Sequence, residues 1–207
     1  MTNTKIVILN YQMGNLHSVY KRLDRLNCQV KVSQSPSDLI AADKIILPGV
    51  GHFSRAMNKL KELNYLDILN EQVLVKKKPI LGICLGMQIM CTNSEEGSEN
   101  GLSWFDAKIK KFVLSDTLRY KVPHTGWNQV KILKSHPIMN DVSNNSEFYF
   151  VHSYHVAKSA NDEILCKTNY EKDFISAIAK DNIIGMQFHP EKSHSVGQSV
   201  FENFIKL

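Results

Sequence analysis

The chain has 207 residues, 43% of them hydrophobic and 22% charged, enough to bury a sizeable core in one domain over residues 1–207. It has no apolar run long enough to span a bilayer, and its N-terminus, MTNTKIVILN, lacks the features of a secretory leader, so a cytoplasmic protein off the membrane is expected. The net charge of +5 is mild, and its main basic run, Lys76-Lys77-Lys78, has no interleaved aromatics, which favours a solvated turn over a nucleic-acid patch.

In chain order, Lys5-Ile6-Val7-Ile8-Leu9 reads as a buried strand. Asn15 can cap a helix carrying Leu16, Val19, Tyr20, Leu23 and Leu26 on one face. Residues 29–32 form a second strand, and Ser35-Pro36 opens a helix with proline in its first turn. Residues 44–47 form a third strand, stopped by Pro48-Gly49. A helical stretch over residues 53–75 breaks near Asn64, and residues 79–83 form a fourth strand. The alternation implies a parallel sheet covered on both faces. The second half changes character. Residues 107–112, 129–133, 148–151, 164–168, 176–179 and 183–187 read as strands spaced for hairpins, and residues 195–206 as a closing helix. The fold class is therefore α/β, with a mixed central sheet and helices on both faces.

Three segments carry chemistry. In Gly82-Ile83-Cys84-Leu85-Gly86-Met87-Gln88, a buried strand runs into a helix start. A tight G-x-nucleophile-x-G turn pushes its central residue out over the sheet end, and the helix N-terminus favours a thiolate on Cys84. The alternative is a buried cysteine at a glycine-rich strand end. Cys91, seven residues on, reads as core along the same helix. In Gln187-Phe188-His189-Pro190-Glu191, residues two apart on an extended segment share a side, so Glu191 can orient the imidazole of His189. A surface turn with a chance ion pair is the competing account. In Leu47-Pro48-Gly49-Val50-Gly51, the glycines let an N–H of Gly49, Val50 or Gly51 join that of Leu85 in an oxyanion hole. An ordinary strand-to-helix turn has the same composition. The four cysteines form no CxxC pair and no cluster with histidine at ligand spacing, so neither metal nor cofactor is expected.

These segments together resemble the class I glutamine amidotransferases of the Cys-His-Glu type. More narrowly, the chain is similar to the glutaminase subunits of imidazole glycerol phosphate synthases. The motifs span nearly the whole chain in one order: residues 11–19 (YQMGNLHSV), 47–51 (LPGVG), 82–88 (GICLGMQ), 94–97 (SEEG), 121–128 (KVPHTGWN), 149–154 (YFVHSY) and 187–193 (QFHPEKS). The resemblance implies a flavodoxin-like fold with a mostly parallel central sheet. It implies that Cys84 attacks the carboxamide of L-glutamine, that His189 shuttles protons and that Glu191 orients His189. Gln88, Gly51 and the backbone of His152 and Ser153 would line the glutamine pocket. The PGVG peptide would turn to complete the oxyanion hole once a partner binds ligand. That partner is a (β/α)8 barrel cyclase or synthase subunit, forming a heterodimer that makes imidazole glycerol phosphate and aminoimidazole carboxamide ribonucleotide in histidine biosynthesis. Asn15 and Trp127 are candidates for the partner face; a helix cap and a core tryptophan are the alternatives.

Two departures stand out. Asn10-Tyr11-Gln12 replaces the family's usual Asp-Tyr-Gly, and His52 replaces a small residue. They leave open a paralogue that supplies ammonia to a sugar-modifying enzyme of surface-polysaccharide biosynthesis. A stand-alone cysteine hydrolase and a non-catalytic scaffold are the remaining alternatives.

Overall fold

Strand β1 (Lys5–Leu9) exposes its first residue and buries the next four, the pattern of a parallel strand covered on both faces. The computed structural model describes residues 4–26 and 28–207; the leader reading at residues 1–3 lies outside them. Strand β1 pairs in parallel with β2 (Gln29–Ser33) and β3 (Lys44–Gly49). Strand β3 pairs with β4 (Ile80–Cys84), and β4 with β12 (Ile183–Met186), again in parallel. Successive side chains alternate between two cores. Val7, Leu9, Ile45 and Leu47 pack on one face with Phe53, Met57, Leu60 and Leu69 of helices α3 (Phe53–Glu62) and α4 (Tyr65–Asn70). Ile6, Ile8, Ile46 and Ile83 pack on the other with Val19, Leu23, Val200, Phe201 and Phe204 of α1 (Leu16–Asp24) and α6 (His194–Lys206).

From β12 outward the sheet turns antiparallel through β11 (Lys172–Lys180), β10 (Ile164–Tyr170), β7 (His124–Ile132) and β8 (Ser146–His152). A branch leaves β11 through β9 (Tyr154–Lys158) to β6 (Lys108–Lys111) and β5 (Asn93–Ser94). Among the described residues, twelve strands thus share one mixed sheet. Among the described residues, no helix is long and apolar enough to cross a membrane.

Local chemistry accounts for several helix ends. Asn15 Oδ1 accepts the Ser18 N–H at 3.4 Å and caps α1. Pro36 opens α2 (Pro36–Ala41). Asn64 takes a left-handed conformation (φ +56) and splits α3 from α4, after which residues Glu71–Val75 loosen into a π turn.

Four expectations need correction. Strand β3 continues through Pro48 and Gly49, which pair with Ile83 and Cys84 of β4, because the proline removes only its own N–H from the ladder. Strand β7 begins at His124, not residue 129, because it pairs along the whole of β8. Strand β9 was not anticipated; only its pairing with β6 and β11 makes it a strand. Helix α5 (Leu85–Gln88) is a single turn, so Cys91 lies beyond it, still fully buried, where burial pushes its thiol well above the usual range.

Gln12, at the position where the family usually has glycine, sits in the left-handed region (φ +67). A non-glycine residue there costs about 1–2 kcal/mol. The Gln12 N–H donates to Asn10 Oδ1 at 3.1 Å, which braces the turn.

Candidate active site

The first element is a strained corner. Cys84 ends β4 with φ +55 and ψ −111 and begins α5 directly. Strain of this kind costs roughly 1–3 kcal/mol and persists only where surroundings enforce it. Gly86 is what permits it here: a Cβ at that position would lie 1.8 Å from the Leu47 carbonyl oxygen of β3. Strand and helix start therefore press together, and the Cys84 side chain projects from the sheet's carboxyl end.

The second element is the turn after β12. The His189 N–H donates to the Tyr149 carbonyl of β8 at 2.8 Å. Ser193 Oγ donates to the His189 carbonyl at 2.6 Å and accepts the Tyr149 N–H at 3.1 Å. Residues Pro190–Lys192 form a 3-10 turn rather than the extended segment expected from the sequence. The pairing survives that difference: His189 Nδ1 and Glu191 Oε1 are 2.7 Å apart, with both side chains 2% exposed.

The two elements meet on the other side of the imidazole. His189 Nε2 has no well-formed hydrogen bond among the described residues, and the Cys84 sulfur lies beside it. Burial alone would lower the proton affinity of His189. The neighbouring Cys84 sulfur and the hydrogen-bonded Glu191 carboxylate outweigh burial and push His189 up to about 10. The arrangement thus favours the charged form of the ring, set between a sulfur and a carboxylate.

A cavity of about 290 Å³ opens at Cys84. Val50, Gly51, Leu85, Gln88, His152 and Ser153 line it, as do Glu96, Pro123 and Tyr154. Gly51 has φ +112, a conformation side chains rarely adopt. Gly49 lies behind the wall, paired with Cys84 and packed under the buried Tyr11 hydroxyl. Gln88 is buried, its Nε2 donating to the Tyr154 carbonyl at 3.0 Å and to Gln187 Oε1 at 2.9 Å. Gln187 Nε2 in turn donates to Cys84 Sγ at 3.6 Å.

Sequence reasoning left Glu96, Gln187 and Ser193 without roles, although each falls inside a quoted motif. Glu96 is the acidic residue in the cavity wall, and its Oε2 also accepts the Phe53 N–H at 2.9 Å. Trp127 is no core residue: it is 43% exposed and stacks on His194 at 4.6 Å. Asn15 is exposed and serves as the α1 cap. Among the described residues, no group of three or more His, Cys, Asp or Glu could hold a metal ion.

A larger cleft of about 540 Å³ lies apart, between β7 and β10, with Asn128, Lys131, Lys167 and Tyr170 in its wall. It contains no cysteine, so the smaller cavity is the one with the chemistry.

The fold has known counterparts. A glutamine amidotransferase from Thermotoga maritima superposes with a TM-score of 0.68 over 100% of both chains at 14% identity. A chain of PurLQS from the same organism does so with a TM-score of 0.70 at 15% identity, covering 99% of both. In sequence, the chain is 46% identical to imidazole glycerol phosphate synthase subunit HisH 2 of Pseudomonas aeruginosa, covering 98% of this chain and 99% of that one. It is 44% identical to subunit HisH 1 of Campylobacter jejuni, covering 98% and 100%. The family described as glutamine amidotransferase class-I matches residues 7–207, a span holding the strained Cys84 corner and the His189–Glu191 turn alike. With that span and those relatives, the chain belongs to the class I glutamine amidotransferases.

Proposed function

We propose that the chain is the glutaminase subunit of an imidazole glycerol phosphate synthase, a single cytoplasmic domain that hydrolyses L-glutamine and passes ammonia to a (β/α)8 barrel subunit. The observation that carries the glutaminase reading is the meeting of Cys84 with a His189 ring already bonded to Glu191, at the mouth of a small-molecule cavity. The relatives' names favour histidine biosynthesis over the polysaccharide-linked alternative.

The chemistry follows from the geometry. The Cys84 sulfur attacks the carboxamide carbon, and the carbonyl oxygen becomes an oxyanion facing the N–H groups of Leu85 and of the Val50-Gly51 segment. His189 gives a proton to the departing nitrogen, so ammonia leaves and a glutamyl thioester remains. His189 then takes a proton from water, whose oxygen attacks the thioester and releases glutamate and the thiol. Glu191 keeps the ring oriented through both steps. Glu96 suits the substrate's α-ammonium, and Gln88 Oε1 is free to accept from the bound glutamine. Ammonia protonates in water and loses nucleophilicity, so the product needs a sheltered route to an acceptor. Val50, Val122 and Trp127 are exposed apolar side chains suited to a partner face around that route.

Cys84→Ala tests the reading. With the barrel subunit present, ammonia release from glutamine is expected to fall on the order of a thousandfold or more, with the fold retained. A glutamine-mimicking electrophile should label wild-type Cys84 and not the variant. Undiminished ammonia release from Cys84→Ala would end the proposal.

A further inference from the structure

A line of hydrogen bonds, buried at its centre between His124 and His152, joins the cleft between β7 and β10 to the wall of the glutamine cavity. Its outer end is Asn128. Asn128 Oδ1 accepts the Gln129 N–H at 2.8 Å, while Nδ2 donates to the Asn169 carbonyl at 2.9 Å and lies 3.2 Å from His124 Nε2. His124 Nδ1 lies 3.1 Å from His152 Nε2, and His152 Nδ1 lies 2.7 Å from the Tyr154 carbonyl oxygen.

Both ends dictate the same proton arrangement. A carbonyl only accepts, so His152 carries its proton on Nδ1. A neutral imidazole has one N–H, so His152 Nε2 must accept, and His124 Nδ1 must donate to it. His124 Nε2 then accepts, as the Asn128 amide requires. The rings are neutral because burial lowers them, His124 to about 4 and His152 to about 3.

The inner end touches the site. Ser153 is the bend between β8 and β9, and it lines the glutamine cavity beside Val151 and His152. The His152-to-Tyr154 hydrogen bond closes that bend across Ser153. The Tyr154 carbonyl also accepts from Gln88 Nε2 at 3.0 Å. Were His152 protonated on Nε2 instead, two lone pairs would face each other across the bend.

We infer that His124 is a positioning residue for glutamine: by donating from Nδ1 it locks His152 in the Nδ1–H tautomer, which holds the Ser153 bend that shapes the cavity. The inference rests on the glutaminase reading. The competing account is a purely structural pair, since His124 stacks between Phe150 (4.9 Å) and Tyr170 (4.0 Å).

Two variants separate them. His124→Phe keeps a ring in the stack and removes the donor. His124→Asn keeps an N–H donor where Nδ1 was. In the complex with the barrel subunit, His124→Phe is expected to raise KM for glutamine about tenfold, the effect of losing one such hydrogen bond, with kcat nearly unchanged. His124→Asn should recover most of that loss. In the ¹⁵N-histidine spectrum, wild-type His124 and His152 should both be Nδ1–H, with His152 drifting to a tautomer mixture in His124→Phe. A wild-type His152 carrying its proton on Nε2 would overturn the inference, whether or not either variant folds. So would an unchanged KM in folded His124→Phe, or equal losses in both variants. A wild-type complex without glutaminase activity would count against the proposed function instead, and the spectra would still decide the histidine pair.

Discussion

The Cys84 corner and the His189 turn reach one site by different means. The corner is held by backbone: a strained residue between glycines, pressed on β3. The turn is held by side chains and cross-strand bonds, through Ser193, Tyr149 and Glu191. A corner of the first kind is signalled by a few neighbouring residues, closes against β3 and fails by collision. A turn of the second kind depends on a strand distant in sequence and fails by loosening.

The contrast can be broken by mutation. Gly86→Ala places a methyl 1.8 Å from the Leu47 oxygen, where backbone cannot yield. A loss of about 3 kcal/mol or more is expected, roughly 6–12 °C in Tm, read by thermal unfolding. An unshifted Tm would mean that the corner is not held by this close approach. Ser193→Ala removes a donor and an acceptor from the turn and should cost about 1–3 kcal/mol. Glutaminase kcat should fall with it, because the ring of His189 is less constrained. A stability loss with full kcat would show that Ser193 supports the fold and not the ring.

The third expectation concerns the coupling of the two regions. Folding raises the proton affinity of His189, so this contribution to stability is complete below the unfolded value near pH 6.5 and is lost as pH rises through about 10. Cys84→Ala removes the sulfur's share, so the upper end of that window should move down. Denaturant midpoints between pH 7 and 10 test this; identical profiles for wild type and Cys84→Ala would show that the regions are not electrostatically joined.

Legibility in the sequence followed the same division. The first four strands, the Asn15 cap and the Asn64 break were readable because continuous apolar runs, cap residues and helical periodicity are local signals. The Cys84 corner was readable for the same reason. Strand β9 was not, because Tyr154–Lys158 has no distinctive pattern and is a strand only through pairing with β6 and β11. The approach of His189 to Glu191 was anticipated from an extended geometry, yet a 3-10 turn produces it. Gln187, Ser193 and His124 had no visible roles, since each acts through a partner tens of residues away.

By itself, the sequence determined the order of strands and helices in the first half, the glycine-flanked cysteine and the family motifs, all matters of short-range sterics and periodicity. Tertiary structure alone decided that β8 would cross behind His189 and carry His152 and Ser153 to the cavity beside Cys84. The reason is physical: strand pairing across a mixed sheet is set by packing and backbone hydrogen bonding between distant segments, which no window of residues contains.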